Sequence, residues 1–148
     1  MRFILPLLVL FLSACSVETN SENAAIFSDI SQSGWAYGDT VKFSAPTDSF
    51  ACCKLAVAVR HSSAYKYANL WLEVSVDEND TCLVDTLNVV LADKYGRRTG
   101  RGFGVSFIKI DTLPHIYNMT DSSRIFLRHI MRVDTVSDLE QIGIIALD

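Results

Sequence analysis

Three histidines, four cysteines and seventeen carboxylates are the groups in this 148-residue chain that could do chemistry. His61, His115 and His129 stand far apart, and none has a second His or a Cys at zinc-ligand spacing. His129 lies in an apolar run and reads as a packed or edge residue; His61 follows Arg60 at a strand end and reads as solvent-facing. No G-x-S-x-G elbow marks an activated serine, and no two carboxylates stand out as an acid/base couple. Gly96, Gly100, Gly102 and Gly104 suggest a phosphate loop, but the stretch lacks Lys-Ser/Thr and no helix pattern follows it. Glycines in strands more often mark a bulge or a close backbone approach. The pattern therefore offers no catalytic set, no metal site and no cofactor, and the chain is expected not to be an enzyme.

Cys15 is the exception. Met1-Arg2, an apolar run from Phe3 to Leu12, and Leu12-Ser13-Ala14-Cys15 form a secretory signal that resembles a bacterial lipobox. The apolar run is too short for a spanning helix, which needs roughly 17–25 residues. In a lipobox the Cys thiol takes the lipid, palmitate among its acyl chains, and the small residues before it admit the peptidase. The expected organisation is a signal peptide over 1–14, a lipidated Cys and tether over 15–24, and one domain over 25–148. One acyl chain anchors marginally, and several hold a protein firmly. Of the remaining cysteines, either Cys52 or Cys53 bridges Cys82, or all three stay reduced; adjacent Cys52 and Cys53 point to opposite faces of a strand.

Asp-Thr followed by an aliphatic residue occurs at Asp39-Thr40-Val41, Asp85-Thr86-Leu87, Asp111-Thr112-Leu113 and Asp134-Thr135-Val136. This resembles an O-glycosylation sequon of exported proteins. Thr40, Thr112 and Thr135 are the candidate acceptors; Thr86 enters a dense apolar run and is set aside.

The elements that must position these residues are strands. Leu55, Val57 and Val59 alternate with polar or small residues, as do Leu70, Leu72, Val74 and Val76, and Phe103, Val105 and Phe107. Ile125, Leu127 and Met131 follow suit. Leu83–Leu91 and Ile142–Leu147 are denser, as expected of central strands. Turns fall at Asp77–Asp80, Asp93–Gly96 and Pro114–Asp121. Ala24–Ile30 and Val136–Gln141 could each make a helical turn or two. The expected fold is all-β: an antiparallel, jelly-roll-like β-sandwich of seven or eight strands. The formal charge of −4 argues against a dedicated nucleic-acid binder.

From Trp35 to Leu147 the pattern resembles one family. It includes Trp35, Asp39, Val41 and Phe43, then Arg60, then Tyr65-Lys66-Tyr67-Ala68-Asn69-Leu70-Trp71-Leu72. Asp85-Thr86-Leu87, Leu91-Ala92-Asp93, Gly96, Gly100, Gly102, Met131-Arg132 and Ile142-Gly143 continue it. With the lipobox, this resembles the GldH-type gliding-motility lipoproteins of Bacteroidetes. Arg98 stands where that pattern has an aromatic residue, and Asp138 where it has Gly. The resemblance implies a non-catalytic, membrane-anchored accessory component of the gliding and secretion machinery, with protein partners there. With Glu18 alone close behind Cys15, the domain is expected on the periplasmic side of the outer membrane. Two surfaces are candidates for partner contact: Tyr65 with Tyr67, and the hairpin carrying Arg97, Arg98 and Arg101. A glycan-binding sandwich is the alternative, with Trp35, Tyr37, Tyr65, Tyr67 and Trp71 as stacking platforms. A co-planar exposed Tyr65–Tyr67 pair would favour sugar, and a buried set would favour structure.

Overall fold

A computed structural model of the chain describes residues 24–45 and 52–147. Within them lie eleven strands and no helix: β1 Ala25–Asp29, β2 Trp35–Ala36, β3 Val41–Ser44, β4 Cys53–Ser62, β5 Asn69–Glu78, β6 Thr81–Val90, β7 Arg101–Phe103, β8 Ser106–Tyr117, β9 Arg124–His129, β10 Thr135–Val136 and β11 Leu139–Leu147. Eight of these have four or more residues. They pair antiparallel into a five-stranded sheet, β1-β11-β4-β8-β7, and a four-stranded sheet, β3-β9-β5-β6, with β10-β2 as a small third ladder. The fold is the β-sandwich that the alternation predicts.

The core lies between the two larger sheets. Leu70, Leu72, Val74 and Val76 of β5 face Leu55, Val57 and Val59 of β4 and Ile142 and Ile144 of β11, all fully buried. Burying one such side chain contributes about 1.5–3 kcal/mol, which is why strict alternation decides the register.

Several segments differ from the sequence reading. Ala25–Asp29 and Leu139–Gln141 are strand, not helical turn: residues 25–29 pair in full with residues 141–145 of β11. One or two helical turns cannot repay helix nucleation, whereas a five-residue ladder closes at once. β6 is dense in apolar residues yet is an edge strand, with Val84 and Val90 facing outward. Phe103, Val105 and Phe107 do not share one strand. Phe103 pairs with Ser106 across Gly104-Val105, and Gly104 at φ +66° supplies the glycine that a type II′ turn wants first. Pro114 lies inside β8, where the β4 register skips from Thr112 to Ile116; an irregularity of this kind is where a strand tolerates proline.

The register fixes two opposite ends. Ala25 pairs with Ile145, Ile145 with Ala56, and Ala56 with Thr112, so the first described residues enter level with Thr112. The β5–β6 turn also lies at this end; its Asn79 and Asp80 both have positive φ, as a type I′ turn requires. The β7–β8 turn and residues 62–65 lie at the other end, since Ser62 pairs with Ser106.

Candidate functional site

Tyr65 does not present a surface. Its ring is 2% exposed, and its hydroxyl donates to the Asn69 carbonyl at 3.0 Å. Burial pushes its phenol pKa well up, with a smaller contribution from Tyr67. Tyr67 is half-buried and meets Tyr65 edge-on, at 72° between ring planes. The pair is neither exposed nor co-planar, so the geometry favours structure over a stacking platform. Trp35 is also buried, donating from Nε1 to the Asp39 carbonyl. Of the five candidate aromatics, Tyr37 and Trp71 remain exposed. Trp71 faces out because β5 starts at Asn69 and Leu70 and Leu72 take the inward positions.

Arg98 is not a free cation. Its Nη2 donates to the carbonyls of Ser63 and Tyr65, both at 2.8 Å, and ties the loop after β6 to the turn after β4. A single guanidinium nitrogen makes both bonds. Arg97 pairs with Asp93 at 3.0 Å, and that carboxyl is held below its ordinary range first by the Arg97 backbone N–H, with the Tyr95 N–H and the Arg97 side chain adding less. Arg101 is exposed on β7 and has no partner among the described residues. Beside them Tyr95 is 70% exposed, with Lys94 Nζ 4.9 Å and the Arg97 guanidinium 5.4 Å from its ring centre. Phe103 is 97% exposed and Val105 69%. Lys94, Arg97, Arg98 and Arg101 share this end with the carboxylates of Asp93, Asp138 and Glu140, which leaves it a small excess of cations on an acidic chain.

The glycines of this stretch divide between turns, at Gly96 and Gly104 with φ of +80° and +66°, and close backbone approach, at Gly100 and Gly102. A Cβ on Gly100 would collide with the Ile108 carbonyl, and one on Gly102 with the Phe107 ring. Asp138, at the position where the family pattern has Gly, has φ +64°, a left-handed conformation that Asp tolerates better than most side chains.

Sequence reasoning missed one cluster. Asp85 of β6 is buried, and its carboxylate accepts from His115 Nδ1, 3.0 Å from both oxygens, and from the Tyr117 hydroxyl. The signal was faint, because an inward Asp on an edge strand looks like any alternating polar residue. This arrangement orients an imidazole, but no hydroxyl or thiol among the described residues bonds its other nitrogen. No group of three or more metal-ligating side chains occurs among them either.

His61 is buried, not solvent-facing, and His129 is packed between Trp35 and Tyr37. Burial lowers both pKa values. Both rings are therefore held neutral in the fold, and the unfolded chain binds more protons below its ordinary His value of about 6.5. Their contribution is complete above that pH and is lost as pH falls through it. The melting temperature is expected to hold steady from pH 8 to 7 and to fall below pH 6.5. Replacing both by Phe should flatten that part of the profile; a flat wild-type profile would contradict the argument.

Thr40, Thr112 and Thr135 are exposed, and so is Thr86, which points outward from the edge strand rather than into the apolar run. Cys52 is exposed, Cys53 buried and Cys82 exposed, as adjacent parity requires of the first two, and no disulfide joins these three. Cys15 and the segment 1–23 lie outside the described residues.

A model of the GldH lipoprotein family matches residues 24–145. No curated protein sequence matches the chain. Among solved structures, it is similar to an exo-β-1,3-galactanase from Phanerochaete chrysosporium crystallised with galactose, at 14% identity and TM-score 0.41. That match covers 83% of this chain and 26% of the galactanase chain, and it is too distant to bear on function.

Proposed function

The chain belongs to the GldH lipoprotein family, and from that premise we propose that it is a non-catalytic accessory component of the gliding-motility machinery, holding a protein partner at the outer membrane. The lipid anchor is placed at Cys15 and the domain on the periplasmic side. Eight residues lie between Cys15 and Ala24, so the end that receives the chain stands nearest the bilayer. That end carries Asp77, Glu78, Asp80 and Asp121 against Lys54 and Arg124, a net acidic set that anionic headgroups do not draw down. The cationic end is the one turned away.

A single observation carries the reading: an almost fully exposed Phe103 at a hairpin tip, with exposed Val105 in the same turn and Arg101 two residues before it on β7. Large exposed apolar side chains clustered among arginines are the composition of a protein interface. Val105 to Thr112 spans about 23 Å of strand, so bringing the tip to the anchoring bilayer would take most of the roughly 28 Å that eight residues can reach at full extension. An acidic protein with an apolar pocket fits better than the bilayer.

Phe103→Asp is expected to reduce co-purification of the partner from native membranes by about tenfold or more, as loss of a central aromatic anchor does. Arg101→Glu should weaken it in a salt-sensitive way. Neither residue is buried, so both variants should melt like the wild type. An unchanged partner list for both would overturn the reading. Turnover of a glycan or peptide by the purified protein, abolished by His115→Ala, would overturn the non-catalytic assignment.

A further inference from the structure

The geometry points to a second binding surface, distinct from the hairpin: a site for an acidic oligosaccharide built from Trp71, Arg132, Thr86 and Tyr37. Trp71 projects outward from β5, 40% exposed. Beside it lies a cavity of about 550 Å³ lined by Trp71, Thr86, Ile130, Met131 and Arg132. A second cavity of about 250 Å³ shares the Ile130–Arg132 wall and is bounded by Tyr37 and Asp134. The two exposed aromatics of the candidate set thus flank one short segment.

That segment is held in place. Ile130 N–H donates to the Trp71 carbonyl at 2.9 Å, and Trp71 N–H meets Met131 Sδ at 3.3 Å. Tyr37 stands edge-on to His129 at 5.6 Å between ring centres. Preorganised aromatic faces accept the C–H faces of sugar rings at little entropic cost. The Thr86 hydroxyl sits beside them, and the Asn69 and Asn88 amides, bonded to each other at 2.8 Å, continue the outward face. Hydroxyls and amides both donate and accept, which is what ring hydroxyls need.

Charge selects the class of sugar. On the same sheet Arg128 is tied to Glu73 through two bonds of 2.7 and 3.0 Å. Arg132 has no partner among the described residues and is exposed beside Trp71. An exposed, unpaired guanidinium matches a carboxylate, and uronates are the sugars that carry one at the end of an ordinary hexose skeleton. The same face is interrupted by Thr86, Arg132 and the Glu73–Arg128 pair, so it lacks the continuous apolar centre that a docked protein would bury.

The test is calorimetric titration of the detergent-purified full-length lipoprotein with an oligogalacturonide and with a neutral oligosaccharide of equal length. Saturable binding of the uronate oligomer is expected, abolished by Trp71→Ala and weakened about tenfold by Arg132→Gln. Arg132→Gln should melt like the wild type, and Trp71→Ala, which removes a ring 40% exposed, should stay folded with a modestly lower melting temperature. Absence of uronate binding in the wild type would overturn the proposal. Equal affinity for the neutral oligomer, or binding indifferent to both substitutions, would overturn it as well. So would loss of a co-purifying protein, rather than of sugar, in Trp71→Ala. Because Phe103 lies on the other sheet, failure here leaves the hairpin reading standing, and the reverse holds.

Discussion

Asp85→Ala is expected to destabilise the domain by about 2–4 kcal/mol, while His115→Ala costs less than about 1 kcal/mol. Both residues belong to one cluster, and burial separates them. Asp85 lies inside the seam between the two sheets, and Tyr117, fully buried on β8, has that carboxylate as its hydroxyl's partner. Removing the carboxylate strands a buried hydroxyl and leaves a void. The His115 side chain is 61% exposed, so water replaces what it loses. The Tyr117 phenol pKa is pushed well up, by burial first and by the hydrogen bond to Asp85 second, which keeps the hydroxyl a donor across the physiological range. At roughly 4 °C per kcal/mol for a domain of this size, Asp85→Ala should lower the melting temperature by about 8–16 °C. Equal losses for Asp85→Ala and His115→Ala would show that the imidazole contact, not the Tyr117 bond, holds the seam.

Tyr65→Ala is expected to cost about 3–5 kcal/mol, the range for emptying a buried aromatic site, and Tyr65→Phe about 1 kcal/mol for the lost bond to Asn69. Tyr67→Ala removes a half-buried ring and should fall between them. Chemical denaturation of the three variants checks the order. A Tyr65→Ala domain as stable as the wild type would mean the ring is not the core residue that its burial implies. Loss of a partner in Tyr65→Ala would reflect unfolding, which is why the hairpin variants are the ones that test docking.

The alternation of apolar residues was enough to read the sandwich, because a buried face forces a period of two wherever strands face one core. It could not assign strands to edge or centre. Leu83–Leu91 is as apolar as a central strand, yet neighbours set by the chain's path place β6 at an edge. Nor could it show that Tyr65 and Trp71, an even spacing apart, lie on opposite sides of the surface. The regular strand begins at Asn69, and parity does not carry across the turn before it. Much of the spacing that carries the family resemblance is structural. Trp35 bonds the Asp39 carbonyl, Tyr65 bonds the Asn69 carbonyl, and Gly143 leaves room for Phe27, whose ring would lie 2.6 Å from an added Cβ. The Arg-rich hairpin was legible as a cationic surface, but Arg98 turned out to be spent on two carbonyls. Phe103, the most exposed aromatic of the tip, was hidden in what looked like strand alternation. The Asp85 cluster joins residues 30 and 32 positions apart across two sheets, and no local pattern marks such a pair.

The most direct measurement places a photo-crosslinking phenylalanine analogue at position 103 of the lipidated protein in native-host membranes, with the same analogue at Asn79 as the opposite-end control. The account predicts a discrete protein adduct from position 103, diminished by added salt, and none from position 79. Lipid adducts at position 103, or a protein adduct from position 79 alone, would contradict it.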